Sequence, residues 1–197
     1  MTPKSNPLAI YLHVPFCHVR CTYCAFNTFT NLDHLVEPFV EALIREIHFA
    51  AAGKPDQAVG SIFFGGGTPS VLSPEQFERI MHALNQGFHI QSDAEISLEA
   101  NPSDVHRDYL AALRTVGFNR ISIGMQSAIE SELVLFNRRH DNDAVVRAVS
   151  AARRAGFDNL NLHLIYGIPH QTTENWDATL RQMLALKPEH VSLYALT

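Results

Sequence analysis

The chain has 197 residues, 46% of them hydrophobic and 18% charged, enough to bury one substantial core. Its net charge of −5 supplies no general attraction to nucleic acid or to anionic membrane. The sequence holds no apolar run near the roughly 18 residues a membrane-spanning helix needs, which argues against a transmembrane segment.

Met1–Pro7 is polar, and Leu8–Val14 after it is a short strand-like run rather than a signal-peptide core. The next stretch, Pro15 to Phe29, has no helical period and is predicted to be a loop. From Leu35 to Ile47 the apolar residues fall at 35, 36, 39, 40, 43, 44 and 47, one face of a helix. Val59–Phe64 is a second strand. Ser73-Pro74-Glu75-Gln76 reads as a capping box with proline at the first helical position. Phe77, Ile80, Met81 and Leu84 continue that helix, and Gly87 stops it. Ala94–Glu99 is a third strand. Ser103 is the expected cap of a third helix carrying Leu110, Leu113 and Val116, ended by Gly117. Arg120–Met125 is a fourth strand, followed by a helix from Ala144 to Ala155 that stops at Gly156. Leu160–Ile165 is a fifth strand. Thr173 can cap a fifth helix ending before Pro188, and His190–Ala195 is a sixth strand.

Six strands separated by five helices imply parallel pairing with right-handed crossovers, an α/β fold in one domain. Most of the strands are apolar on both faces, as covered parallel strands would be. The pattern leaves open whether the sheet closes as a barrel or opens as a doubly wound sheet. No helix follows the sixth strand, so the chain reads as a domain truncated there.

All three cysteines fall in the first loop, as Cys17-x3-Cys21-x2-Cys24. An odd, tight cluster without an export signal points to metal binding in a reducing, cytoplasmic setting. Thiolates at such spacing can converge on one soft centre. Three of them on a four-iron cluster leave one iron free for a small chelating molecule. Spacing alone also allows a structural zinc with His13 or His18 as fourth ligand, or an inert buried trio. Other chemistry-bearing residues fall at or just past the ends of predicted strands, where α/β sheets bind ligands: Gly65–Thr68, Glu99, Gln126 and, late in its strand, His163. Three consecutive glycines suit either close approach of a ligand to backbone or a tight strand-to-helix turn.

The cysteines sit in Tyr11-Leu12-His13-Val14-Pro15-Phe16-Cys17-His18-Val19-Arg20-Cys21-Thr22-Tyr23-Cys24, which resembles the radical SAM signature of the oxygen-independent coproporphyrinogen III oxidase family. Further blocks match in order: Phe64-Gly65-Gly66-Gly67-Thr68-Pro69-Ser70, Ile96-Ser97-Leu98-Glu99-Ala100-Asn101-Pro102, Asn119-Arg120-Ile121-Ser122-Ile123-Gly124-Met125-Gln126-Ser127 and Leu164-Ile165-Tyr166-Gly167-Ile168-Pro169.

That resemblance implies a partial (βα)6 barrel of parallel strands with the cofactors at its C-terminal mouth. It implies a [4Fe-4S] cluster on Cys17, Cys21 and Cys24, with S-adenosylmethionine (SAM) chelating the open iron and cleaved to a 5′-deoxyadenosyl radical. Contacts to SAM would come from Gly66, Gly67, Thr68, Glu99, Gln126 and Arg138, with Tyr11 and Tyr23 facing the same pocket. His163 departs from the pattern: relatives carry Asn-x-Asp where this chain reads Asn161-Leu162-His163, so a hydrogen-bonding group replaces a fixed charge. The resemblance assigns no catalytic side chain.

Within the family the chain looks most like the haem chaperone branch. Oxidase-type members carry C-x3-C-x2-C-x-C, and Phe26 occupies the last of those positions here. The branch implies haem or porphyrin as cargo, a reductant protein as electron donor and haem-accepting proteins as partners. Haem binding in the family also draws on a C-terminal region that this chain is expected to lack. The remaining alternatives are the oxidase, which decarboxylates coproporphyrinogen III to protoporphyrinogen IX, and a zinc-stabilised interaction domain.

Overall fold

In the computed structural model, which describes residues 6–53 and 57–196, six parallel strands pair strictly in chain order. They are β1 (Leu8–Val14), β2 (Ala58–Gly66), β3 (His89–Ala100), β4 (Arg120–Gln126), β5 (Leu160–Tyr166) and β6 (His190–Ala195). The first five residues and Thr197, where the polar leader and the expected truncation point fall, lie outside the described residues. Right-handed crossovers between successive neighbours put every connecting helix on the same face. A doubly wound sheet needs a reversal of strand order, and this sheet has none. The sheet therefore curls into a half-barrel with helices outside.

The helices are α1 (Val36–Ala51), α2 (Pro74–Gly87), α3 (Arg107–Val116), α4 (Glu130–Leu135), α5 (Asn142–Arg154) and α6 (Thr173–Ala185). Ser73 caps α2 in a full capping box: its hydroxyl accepts from the Gln76 amide, and the Gln76 side chain accepts from the Ser73 amide. Gly117 closes α3 with φ 116°, a conformation that favours glycine. Ser103 does not cap α3. Its amide is held by the Asn101 side chain in a turn, and the helix begins three residues later with His106 Nδ1 accepting from the Tyr109 amide. Thr172, not Thr173, caps α6, and Asp141 starts α5 two residues earlier than expected. The short α4 has no counterpart among the predicted helices.

The two faces of the sheet differ. Leu12, Val14, Ile62, Phe64, Leu98, Ile121, Ile123, Leu162 and Leu164 are buried beneath the helices. Phe64 of β2, Phe77 of α2 and Phe118 before β4 meet there edge-on or tilted, with centroids 5.0–5.3 Å apart. The alternate positions face the hollow and are mixed rather than uniformly apolar: Phe63 and Ile165 share that face with Ser97, Glu99, Ser122, Asn161, His163 and Ser192. Asn161 Nδ2 donates to Ser122 Oγ at 3.3 Å and to Ser192 Oγ at 3.0 Å, and Arg120 pairs with Glu95 at 2.9 Å.

Truncating Phe77, which is fully buried, removes the centre of that aromatic trio. Phe77→Ala is expected to cost about 3–5 kcal/mol, read as a lower denaturant midpoint in equilibrium unfolding.

Candidate functional site

The cavity that holds the cysteines is lined by the hollow face of the sheet, its C-terminal rim and the loops beyond it. The loop after β1 crosses this rim, and its base is pinned: Cys17 N donates to Phe29 O at 2.9 Å and Phe29 N to Pro15 O at 2.8 Å. On one side Gly67 N reaches Val14 O and Thr68 N reaches Phe16 O, both at 2.8 Å. On the other, Thr22 donates from its side chain to Leu135 O (2.8 Å) and from its amide to Phe136 O (3.3 Å), while Asn137 Nδ2 reaches Arg20 O at 3.1 Å. The Tyr23 ring packs edge-on against Phe136, 4.7 Å away. The missed helix α4 is thus the second wall of the cysteine loop.

The cavity encloses ≈ 340 Å³ and is lined by Cys17, Cys21, Tyr23, Cys24, Gly66, Gly67, Thr68, Glu99, Gln126, Arg138 and His163. The structure therefore brings together every candidate residue except Tyr11. Tyr11 lies on the hollow face of β1, largely exposed, tilted against Phe63, with its hydroxyl 2.9 Å from His13 Nδ1. Sequence reasoning missed Asp104, Arg139 and Tyr194, which also line the cavity. Tyr194 was within reach, since it lies late in the last strand, on the same hollow face as His163. Asp104 depends on a turn and had no local signal.

All three cysteines are free and partly exposed. Burial pushes the Cys17 thiol up; the Thr68 hydroxyl opposes this, and the neighbouring Cys24 and Cys21 add to it. Metal binding there must expel a proton. The Thr68 hydroxyl donates to Cys17 Sγ and the Arg138 guanidinium to Cys21 Sγ, each at 3.3 Å. Thiols that share one cavity, with donors already aimed at their sulfurs, suit a polynuclear iron–sulfur centre.

The zinc alternative finds no support. Among the described residues no three His, Cys, Asp or Glu side chains are placed to hold one metal ion. His13 is engaged at both nitrogens, with Tyr11 and with Asn27 O at 3.0 Å, and His18 stands by Asp104.

The glycine run is explained largely by the protein's own packing. A Cβ at Gly66 would meet the His13 ring at 2.7 Å, and one at Gly67 would meet Phe16 O at 2.6 Å. Gly124 plays the same part on β4, since a Cβ there would press on the Gln126 amide (3.0 Å) and on Arg138 (3.2 Å). Gln126 itself has φ 65° beside an irregularity in the β4–β5 register, a strained turn that aims its side chain at the cavity.

Electrostatics across the rim are mixed. Burial raises the Glu99 carboxyl, while the Gly66 backbone and His13 pull it back. Burial raises the Asp104 carboxyl as well, and its ion pair with Arg139 opposes that. His163 is lowered to about 4 by burial, helped by Arg120 and Arg138, so it faces the cavity as a neutral ring beside Tyr194 at 5.5 Å. His140 is lowered to about 4 by burial and Arg138.

Residues 11–183 match the family described as Radical SAM superfamily. The oxygen-independent coproporphyrinogen III oxidase of Salmonella typhimurium is 38% identical over 190 residues, 96% of this chain and 42% of that protein. The heme chaperone HemW of Synechocystis is 38% identical over 196 residues, 96% of this chain and 47% of that protein. The solved structure of coproporphyrinogen III oxidase (HemN) from Escherichia coli, a Radical SAM enzyme, superposes with TM-score 0.92 at 36% identity, over 97% of this chain and 44% of that one. The chain spans about half the length of the curated relatives it matches.

His140 and His163 stay neutral in the folded chain at pH values where ordinary histidines protonate. Between pH 6.5 and about 4 the unfolded state binds more protons, so these two residues make stability fall as pH drops through that window. Denaturant midpoints measured across the window should fall, and His163→Asn should flatten the slope. An unchanged slope in the variant counts against the assignment.

Proposed function

The chain belongs to the radical SAM superfamily, and from that premise we propose that it holds a [4Fe-4S] cluster on Cys17, Cys21 and Cys24 and binds SAM in the adjoining cavity. The observation that carries this reading is the shared cavity itself: three free thiols, one of them 3.3 Å from the Arg138 guanidinium, with a carboxylate and a side-chain amide lining the same space. When bound, cluster and SAM supply one-electron reductive cleavage of a sulfonium carbon–sulfur bond.

The protein's part is to bind, orient and enclose. Glu99 and Gln126 offer acceptors for ribose hydroxyls or an ammonium group, and the positive charge of Arg138, its guanidinium already held by the protein, favours a carboxylate nearby. Gly66, Gly67 and Thr68 present backbone to the same space, and Tyr23 closes the cluster side. His163 contributes a neutral hydrogen-bonding edge where relatives use an aspartate, so SAM binding here leans on Glu99 and Gln126. Tyr11 reaches the ligand only from the open hollow of the barrel.

In the finer reading the chain is of the haem chaperone type, acting on haem or porphyrin with a reductant protein and haem-accepting proteins as partners. Phe26 favours it. Relatives of both names match to the same degree, but the fourth cysteine of the oxidase-type motif is replaced by a phenylalanine that is 68% exposed at the cavity mouth. Haem titration tests this, with a Soret shift expected. Formation of protoporphyrinogen from coproporphyrinogen would establish the oxidase instead.

Anaerobic reconstitution with iron and sulfide, followed by reduction, should give a cluster EPR signal that SAM perturbs. Cys→Ser at 17, 21 or 24 should abolish it. Glu99→Gln should keep the cluster and weaken SAM binding roughly tenfold or more, as expected for one hydrogen bond to a charged group. A chain that takes up zinc but no iron–sulfide ends the proposal.

A further inference from the structure

Thr68 occupies the position from which a threonine ordinarily caps the turn that follows it, here the tight turn Pro69–Val71. Its hydroxyl makes no such cap. The turn is closed by backbone alone, Val71 N to Thr68 O at 3.0 Å and Leu72 N to Pro69 O at 3.0 Å. The Thr68 amide is already committed to Phe16 O. Local structure therefore has no use for the hydroxyl, which turns to Cys17 Sγ at 3.3 Å, 51 residues away in sequence.

A second donor reaches a second sulfur from the opposite side. Arg138 Nη1 lies 3.3 Å from Cys21 Sγ, and the rest of its guanidinium is fixed to β4. Nη2 donates to Gly124 O at 3.0 Å, and Nε donates to His140 Nδ1 at 3.4 Å. His140 is buried, with Nε2 3.1 Å from Met125 O. A carbonyl can only accept, so Nε2 carries the hydrogen and Nδ1 keeps the lone pair that Arg138 needs. Arg138 is thus held in place by the barrel wall and aimed at the cysteine loop, and no side chain at residue 124 stands in its way.

We propose that Thr68 and Arg138 donate hydrogen bonds to two of the three cluster thiolates, Cys17 and Cys21, and thereby raise the reduction potential of the cluster; this rests on the reading of the three cysteines as its ligands. An added electron increases the negative charge on the ligating sulfurs. A donor pointed at a sulfur therefore stabilises the reduced form more than the oxidised form. Arg138 adds a full positive charge nearby, with the same sign of effect. Thr68 is then a tuning residue that acts on a ligand, in addition to the SAM contact expected of its backbone.

The test is an EPR-monitored redox titration of the reconstituted chain without SAM. Thr68→Val keeps the shape and loses the hydroxyl, and its midpoint should move to a more negative potential. Thr68→Ser keeps the donor and should stay at the wild-type value. Arg138→Met should shift in the same direction as Thr68→Val and further. A purely structural role for Thr68 would lower cluster occupancy without moving the midpoint. A Thr68→Val midpoint equal to wild type overturns the proposal. If Thr68→Val takes up no cluster, electron–nuclear double resonance on the reduced wild-type cluster decides. Exchangeable proton couplings lost in D2O are expected, and finding none overturns the proposal. A wild-type chain that forms no cluster overturns the ligand reading instead.

Discussion

Strand order is the constraint on which the rest of this structure depends. Because β1 to β6 pair in the order in which they occur, every crossover helix must lie on the same side. The outer face is then an ordinary apolar core, fully buried at Phe64, Leu98, Ile121 and Ile123. Among the described residues the inner face carries no helix layer, but the curl of the sheet and the cysteine loop still bury Ser97, Ser122 and Asn161, and hydrogen bonds such as Asn161 to Ser122 and Ser192 offset the cost of polar groups there. Ser97, Glu99, Ser122, Asn161 and His163 can therefore occupy strand positions that a doubly wound sheet would fill with valine or isoleucine. The site's chemistry is available because the inner face lines a cavity rather than packing against a second layer of helices.

The cysteine loop turns that open face into a cavity. A loop of this length has considerable freedom, and three thiols on it would not converge unaided. Four attachments remove the freedom: the bridge at its base, the Gly67 and Thr68 amides, the last carbonyls of α4, and the Asn137 side chain. The glycines belong to this clamp. Gly67 lacks a side chain because the backbone of Phe16 lies where a Cβ would sit, and Gly66 because His13 does. His13 in turn holds the loop through Asn27 O. The ligand-cradle and tight-turn readings of the glycine run are thus two views of one arrangement, since the packing that fixes the loop also brings backbone to the cavity.

How much of this was legible in the sequence follows from the range of each interaction. Strand limits were readable to within a residue or two at most ends because apolar runs are bounded by turn residues; β3 began five residues early, where polar His89–Asp93 hides the pattern. Ser73-Pro74-Glu75-Gln76 was readable because a capping box is complete within four residues. Ser103 misled because Asn101 takes its amide first, leaving the helix to start at Arg107. The six residues of α4 carry no apolar stripe long enough to detect, and Ile129 provides no side-chain cap. Cys17, Glu99, Gln126 and Arg138 could be named from motifs, but not the contacts that orient them. Those join residues as far apart as 21 and 138, and no local pattern reports them.

The rim is also organised before any ligand arrives. Gln126 sits at φ 65°, a conformation that costs a non-glycine residue about 1 kcal/mol or more. The next residues hold it there. Ser127 is fully buried, its hydroxyl 2.5 Å from Glu132 Oε2, and it accepts from the Ile129 amide at 2.9 Å. Thr179 of α6 accepts from the Ala128 amide, and Gln171 binds both Glu132 and the Gly167 amide. One hydrogen-bonded network, buried at Ser127, Glu132 and Thr179, thus ties the end of β4 to α4, to α6 and to the loop after β5. Through α4 it reaches the cysteine loop as well. The strained amide of Gln126 and the sulfurs of Cys17 and Cys21 are parts of one connected frame, so the cavity need not reorganise to present donors and acceptors. That preorganisation lets a site built largely from hydrogen bonds act on charge that appears only when an electron arrives.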